Sequence, residues 1–188
     1  SKDRVWILDP IDGTREFVQK NPEFSISLGL SYKGNPVLGV VLNPITRELI
    51  TGVVGSGVSY DILNENLELK SSIDLKPLNF DENIKKPSTF VSRSEFFKYK
   101  LFEKDPFWLE YFEIKPIGSI AYKLALTAAN KADLSISLKP KNEWDICAGV
   151  ALILASGGLA VDLVNQKEIP FNSPNPLQRG ILAGNPHL

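Results

Sequence analysis

The chain has 188 residues, enough for one domain or two small ones, and 43% of them are hydrophobic, which can fill a sizeable core. Its 21 basic and 22 acidic side chains nearly cancel and form no basic block, which argues against a broad nucleic-acid or membrane surface. Cys147 is the single cysteine, so no internal disulfide framework exists and a reducing compartment is expected, with the cytoplasm as default; no apolar run is long enough to span a membrane.

Ser1-Lys2-Asp3-Arg4 lacks the basic-then-apolar order of a signal peptide and leads straight into an apolar run at 5–8. That run predicts a short buried strand ending at Asp9, stopped by Pro10, which has no N–H and a fixed φ. Asp9 and Asp12 flank the proline, Gly13 permits close approach of a ligand, and Thr14 begins a helical pattern. The free N–H groups of Gly13, Thr14 and Arg15 would then face an anion. Two carboxylates beside such a turn suit Mg²⁺ together with a phosphate. A plain strand-turn-helix junction with Asp12 as the N-cap would use the same residue types.

Residues 24–32 alternate apolar and small polar side chains with period 2, the pattern of a half-buried strand. Gly34-Asn35 turns the chain, and residues 37–42 and 48–54 return as strands separated at Asn43-Pro44, an antiparallel meander. Residues 58–63 and 67–69 are weaker strand candidates. From 74 to 87 Pro, Asn, Asp and Lys dominate and periodicity is lost, which places a domain joint there. The expected division is a metal-binding antiparallel half over 1–86 and a C-terminal α/β half over 87–188. In the second half, strands at 89–92, 111–117, 134–138 and 159–163 alternate with helices at 94–104, 119–130 and 145–156, an order that favours a doubly wound sheet covered by helices. The predicted fold class is α/β.

Several second-half residues bear on chemistry. Ser92-Arg93-Ser94 joins a strand to a helix and is a natural anion site. Gly118-Ser119 opens a helix that carries Lys123 one turn in. Lys139 and Lys141 could meet a second phosphate or remain solvated loop lysines. Asp145 precedes a helix with apolar Ile146, Val150, Ile153 and Leu154, and serves either as its N-cap or as a third metal carboxylate. Ala148 and Gly149 are small enough for close helix packing. His187, the only histidine, is penultimate, which argues against a Ser–His or Cys–His nucleophile and leaves a metal-activated water as attacker.

The string D-P-I-D-G-T at 9–14 resembles the first metal motif of the inositol monophosphatase superfamily, the Mg²⁺-dependent, lithium-sensitive phosphomonoesterases. W-D-I-C-A-G at 144–149 resembles that superfamily's W-D-x-x-A-G motif, downstream in the expected order. The resemblance implies a layered α/β sandwich and two or three Mg²⁺ ions held by Asp9, the carbonyl of Ile11, Asp12 and Asp145. Asp12 and Thr14 would be catalytic, with Thr14 orienting the attacking water. Gly13, Thr14, Ser92, Gly118, Ser119, Lys123 and Lys141 would contact the substrate.

Ser92-Arg93-Ser94, Arg15-Glu16-Phe17 and Pro22-Glu23-Phe24-Ser25 are similar to the branch that hydrolyses 3'-phosphoadenosine 5'-phosphate, so a 3'(2'),5'-bisphosphate nucleotide is the expected substrate. The spacing from Gly118 to Lys123 is that of the inositol phosphatases, which makes inositol monophosphate the alternative. The expected partner is a small phosphorylated substrate, with no nucleic-acid polymer and no membrane, and a homodimer is a possible assembly. The superfamily also places a helical region with a Glu-Glu metal motif ahead of D-P-I-D-G-T. Residues 1–188 are therefore expected to match its C-terminal two-thirds, and without that motif the chain as given would bind metal and phosphate with little or no turnover.

Overall fold

The strand expected at 5–8 runs further than the proline suggests. In the computed structural model, which describes residues 2–78 and 84–187, β1 spans Arg4–Asp12 and pairs antiparallel with β2 (Ser25–Tyr32). Asp9 lies opposite Ser27 and Asp12 opposite Ser25, so three steps along β1 match two along β2. On a regular strand, residues three apart point to opposite faces; the extra residue of this bulge reverses the phase and brings both carboxylates to one side. Pro10 sits within the bulge, where the ladder requires no N–H from it.

The antiparallel meander continues through β3 (Asn35–Asn43), β4 (Glu48–Val53), β5 (Gly57–Leu63) and β6 (Leu69–Leu75), giving a six-stranded sheet in sequence order. The short strand expected at 67–69 is thus corrected to β6, which reaches into the stretch read as a joint. Its pairing with β5 from Val58 to Leu63 supplies the order that local composition did not signal. Residues 79–83 of that stretch lie outside the described residues.

Across β2, β3 and β4 three glycines stand in register, Gly29 opposite Gly39 and Gly39 opposite Gly52. They form a groove for α4 (Glu143–Ala155): a Cβ on Gly39 would stand 2.2 Å from the carbonyl oxygen of Ala148, and one on Gly29 would stand 2.6 Å from Cys147 Sγ. On the opposite side of α4, a Cβ on Gly149 would stand 2.5 Å from Leu124 Cβ in α3 (Ile120–Ala128). Small residues at 148 and 149 set the spacing of this helix from its neighbours, which fixes where Asp145, at its start, is presented.

The second sheet has the order β11 (Leu159–Asp162), β13 (Ile181–Gly184), β9 (Leu134–Ser137), β7 (Ser88–Ser92), β8 (Glu113–Ile117). β7 runs parallel to both β8 and β9, while β13 runs antiparallel to β9 and β11, making the sheet mixed. A two-residue ribbon, β10 (Lys141–Asn142) with β12 (Leu177–Gln178), precedes α4. Helices α3 and α4 pack between the two sheets, with Leu124, Ile146, Leu152 and Ile153 fully buried. The result is the expected layered α/β sandwich, with β10, β12 and β13 as strands that the sequence reading did not place.

The helix expected at 94–104 is replaced by a five-residue π-helical turn, Ser94–Lys98, followed by α2 (Pro106–Tyr111). The physical reason is Glu95. It is completely buried and accepts hydrogen bonds from Ser137 Oγ at 2.6 Å, Leu138 N at 2.9 Å and Lys139 N at 3.2 Å, which tie the turn to the end of β9. Asp105 then caps α2, accepting from Phe107 N at 3.0 Å with Pro106 at the first helical position, so the strand expected from 111 begins at Glu113.

Candidate active site

The bulge in β1, the start of α3 and the start of α4 converge. Oxygen atoms of Asp9, Asp12 and Asp145 all lie within 4.8 Å of one another, with Asp12 buried and the other two half-buried. Each carboxylate is held by a separate local device. Ile11 N donates to Asp9 Oδ1 at 3.0 Å. Asn142 N donates to Asp145 Oδ2 at 2.9 Å, one half of a capping box, so Asp145 is the third residue of α4 and not its cap. Asp12 accepts from Ser119 Oγ and, at 2.7 Å, from Ala121 N. It therefore serves the N-terminus of α3 and not that of α1 (Thr14–Val18), whose cap Gly13 is left-handed at φ 89°.

Burial pushes the Asp12 carboxyl up to about 6, against its hydrogen bonds from Ser119 and Ala121 and with a smaller contribution from the charges of Asp145 and Asp9. Burial also raises Asp9 and Asp145, opposed by the bonds from Ile11 and Asn142. Three carboxylates crowded in this way repel one another, and hard oxygen donors of this kind fit a small divalent cation that would relieve the repulsion.

Beside the triad is a cavity of ≈ 250 Å³. Of the residues singled out from the sequence, Asp12, Gly13, Ser92, Gly118, Ser119, Lys123, Lys141 and Asp145 line it. Thr14 is exposed at the start of α1 and does not line it, and Asp9 and Ile11 reach the site through the triad alone. Lys123 is 1% exposed; its Nζ donates to Ser92 Oγ at 2.7 Å. Burial pushes the ammonium down to about 8, opposed chiefly by the charge of Glu95. One hydrogen bond leaves two of its three donors unpaired among the described residues, at the wall of a cavity that also holds Lys141.

Ser119 departs from its expected role. Its hydroxyl donates to Asp12, accepts from Tyr122 N at 3.0 Å and contacts Ser25 Oγ at 3.0 Å, so it positions a carboxylate and caps α3 instead of standing free for substrate. Ser92-Arg93-Ser94 also departs, because the helical turn there is a single turn and the Arg93 guanidinium is paired with Glu23 through Nε and, at 2.6 Å, through Nη2.

Glu23 is a residue that the sequence reading left unassigned. Besides holding Arg93, it accepts from Gly118 N at 2.7 Å and so locks the turn that opens α3. Its burial would raise the carboxyl, but these bonds together hold it below the usual range. Glu16 also lines the cavity, packed where a Cβ on Gly118 would stand 2.4 Å from its Cγ. Neither glutamate carries a local signal beyond the Pro22-Glu23-Phe24 and Arg15-Glu16-Phe17 strings, since their partners are about 70 to 100 residues away.

A family model described as the inositol monophosphatase family matches residues 1–188. Inositol monophosphatase 2 of Solanum lycopersicum is 30% identical over 191 residues, covering 98% of this chain and 65% of that protein. The crystal structure of CysQ from Bacteroides thetaiotaomicron superposes with a TM-score of 0.77 at 27% identity, covering 98% of this chain and 70% of that one. Staphylococcal SaIMPase-II, solved with 2'AMP bound, gives a TM-score of 0.77 at 26% identity over 100% of this chain and 66% of that one. The chain spans about 65% of the length of the curated relatives that it matches.

Proposed function

Because the chain belongs to the inositol monophosphatase family, we propose that it forms the catalytic part of a Mg²⁺-dependent phosphomonoesterase whose preferred substrate is a 3'(2'),5'-bisphosphate nucleotide. The observation that carries the reading is one cavity lined both by Asp12 and Asp145 of the carboxylate triad and by the buried, under-bonded ammonium of Lys123. A phosphate monoester suits such a lining, since its oxygens can both ligate a cation and accept hydrogen bonds.

In this reading Asp9, Asp12, Asp145 and the carbonyl of Ile11 hold two or three Mg²⁺ ions. Bound there, Mg²⁺ supplies Lewis-acid neutralisation of phosphate charge and lowers the pKa of an attacking water. The remaining work belongs to the chain. Ser119 and Ala121 N–H fix Asp12, Asn142 N–H fixes Asp145, and these bonds keep the triad in place before substrate arrives. Lys123 and Lys141, which line the same cavity, neutralise the phosphate, and Gly13 lets the backbone approach it. Positioning and charge neutralisation account for most of the rate in phosphoryl transfer.

The Arg15-Glu16-Phe17, Pro22-Glu23-Phe24-Ser25 and Ser92-Arg93-Ser94 strings support the nucleotide preference, whereas SaIMPase-II, solved with 2'AMP and also with inositol monophosphate, favours neither substrate. Inositol monophosphate is the second reading, favoured by the name of the tomato relative and by the Gly118–Lys123 spacing. Phosphate release from 3'-phosphoadenosine 5'-phosphate and from inositol 1-phosphate, each with Mg²⁺, tests both. Faster turnover of the inositol ester reverses the preference, and release from neither overturns the phosphatase reading.

A further inference from the structure

Next to the triad cavity lies a second one of ≈ 420 Å³, and the two share Glu16, Arg93 and Ser94 in their walls. Arg15 and Lys98 line this neighbour together with Phe97, a residue that is 59% exposed. We infer that this second cavity is a subsite for a second phosphate group carried by the substrate, with Arg15, Lys98 and Lys139 as the groups that bind it. The inference rests on the phosphomonoesterase reading of the first cavity and adds to it the residues that select the substrate.

The charge arrangement is the first argument. Arg93 is neutralised by Glu23, whereas Arg15, Lys98 and Lys139 make no ion pair among the described residues. Two of these unpaired cations, Arg15 and Lys98, thus line a pocket to which Glu16 contributes a single carboxylate, and Lys139 stands against Tyr99, the residue after Lys98. Lys139 and Lys98 meet at Tyr99, with Lys98 Nζ 5.5 Å from the centroid of its ring. Lys139 Nζ stands 2.9 Å from the same centroid, and the phenol is held below its ordinary pKa by Lys139 first, then by Lys98 and Arg15. A site of this composition favours a compact dianion and accepts it with charge-assisted hydrogen bonds.

The second argument is continuity. A substrate whose scissile phosphate lies at the triad must leave along the shared wall of Glu16, Arg93 and Ser94 to enter the second cavity. Phe97, with the Arg93 guanidinium over it at 5.9 Å, offers a flat apolar wall for whatever ring joins the two phosphates. Inositol monophosphate has no second anion to place there. A bisphosphorylated ester does.

The test uses the full-length protein with Mg²⁺ and compares kcat/KM for 3'-phosphoadenosine 5'-phosphate with that for adenosine 3'-monophosphate, two esters that differ only in the second phosphate. The ratio is read in the unchanged protein, in Arg15→Gln, Lys98→Gln and Lys139→Gln, and in the triple variant. All three side chains are on or near the surface, so the fold should survive, and a general loss of activity cancels in the ratio. Each single change should lower the ratio about three- to tenfold, as expected for partly exposed charged contacts, and the triple variant should bring it close to one. A ratio that stays within about twofold of the original in the triple variant overturns the subsite.

If neither ester turns over, dissociation constants for the same two nucleotides give the same ratio, so a failed phosphatase reading and a failed subsite remain separate results. Stimulation of monophosphate hydrolysis by added inorganic sulfate, lost in the triple variant, would assign the pocket to a free anion and overturn its assignment to the substrate's own phosphate.

Discussion

The Nζ of Lys123 reaches the Oγ of Ser92 at 2.7 Å, linking the first turn of α3 to the end of β7, and this is the only hydrogen bond of that buried ammonium among the described residues. A charged group placed so deep is costly to the fold, and it is useful only if a ligand completes its shell.

Replacing Lys123 with Met should therefore separate binding from stability. KM for a phosphate ester should rise about tenfold, the cost of one charge-assisted contact. The ligand-free protein should become more stable at pH 7, by about 1–3 kcal/mol. The sign follows from proton counts. The lysine titrates at about 8 when folded against 10.5 ordinarily, so between those values the folded chain binds fewer protons than the unfolded chain and stability rises with pH. Urea titrations at pH 7 and pH 10 should show the advantage of the variant shrinking at the higher pH. A variant less stable at pH 7 would mean that the ammonium is satisfied in the free protein.

Asp9→Asn and Asp145→Asn should each lower Mg²⁺-dependent phosphate release at least about a hundredfold, since removing a ligand costs no less than disturbing the groups that support one. The thermal melt of the metal-free protein should not fall, because each change removes a charge that its neighbours repel. Near-normal turnover in either variant would refute the metal assignment.

Chelation should abolish activity, and Mg²⁺ in the millimolar range should restore it, as expected of an ion that keeps several of its waters. Inhibition by Li⁺ is the accompanying expectation from the family resemblance. Full turnover after exhaustive chelation would contradict both.

Gly39→Ala tests the seat of α4. Its Cβ would stand 2.2 Å from the Ala148 carbonyl oxygen, and backbone, unlike a flexible side chain, can yield only by moving the helix. A loss of about 1–3 kcal/mol or more in urea denaturation is expected. Activity should fall as well, because Asp145 moves with α4. An alanine variant as stable and active as the parent would show that the helix has room to shift.

The outer face of the six-stranded sheet predicts self-association. Trp6 and Leu8 on β1 and Leu28 and Leu30 on β2 are cross-strand partners on one face, and Trp6 and Leu8 are 59% and 54% exposed. Val40 and Leu42 on β3 continue that apolar surface. Residues 1–188 alone should therefore run as oligomers or aggregates in size-exclusion chromatography, since exposed apolar areas of this extent seek cover. A monodisperse monomer would show that the face tolerates water.

The first sheet and the identity of the triad were legible because both depend on short-range pattern. Period-2 alternation at 24–32 marks β2, and the D-P-I-D-G-T and W-D-I-C-A-G strings carry Asp9, Asp12 and Asp145. The π-helical turn at Ser94–Lys98 was not legible, since a strong local helix pattern yields there to the bonds that Glu95 makes with residues 137–139. α2 was legible and was missed: Asp105-Pro106 is a cap followed by a first-turn proline.

What the sequence by itself determined was which groups come together in the fold: three carboxylates, two lysines beside them, and small residues where backbones meet. What only the tertiary structure decided was how they face one another. Asp9 and Asp12 share a side because of a register shift against β2, which exists only once the two strands pair. Asp12 caps a helix more than 100 residues away, and Glu23 fixes Gly118 across 95 residues. Local propensity reports conformations over a few residues, whereas these contacts arise when two sheets close on α3 and α4, so the pattern of the chain could name the groups and only packing could aim them.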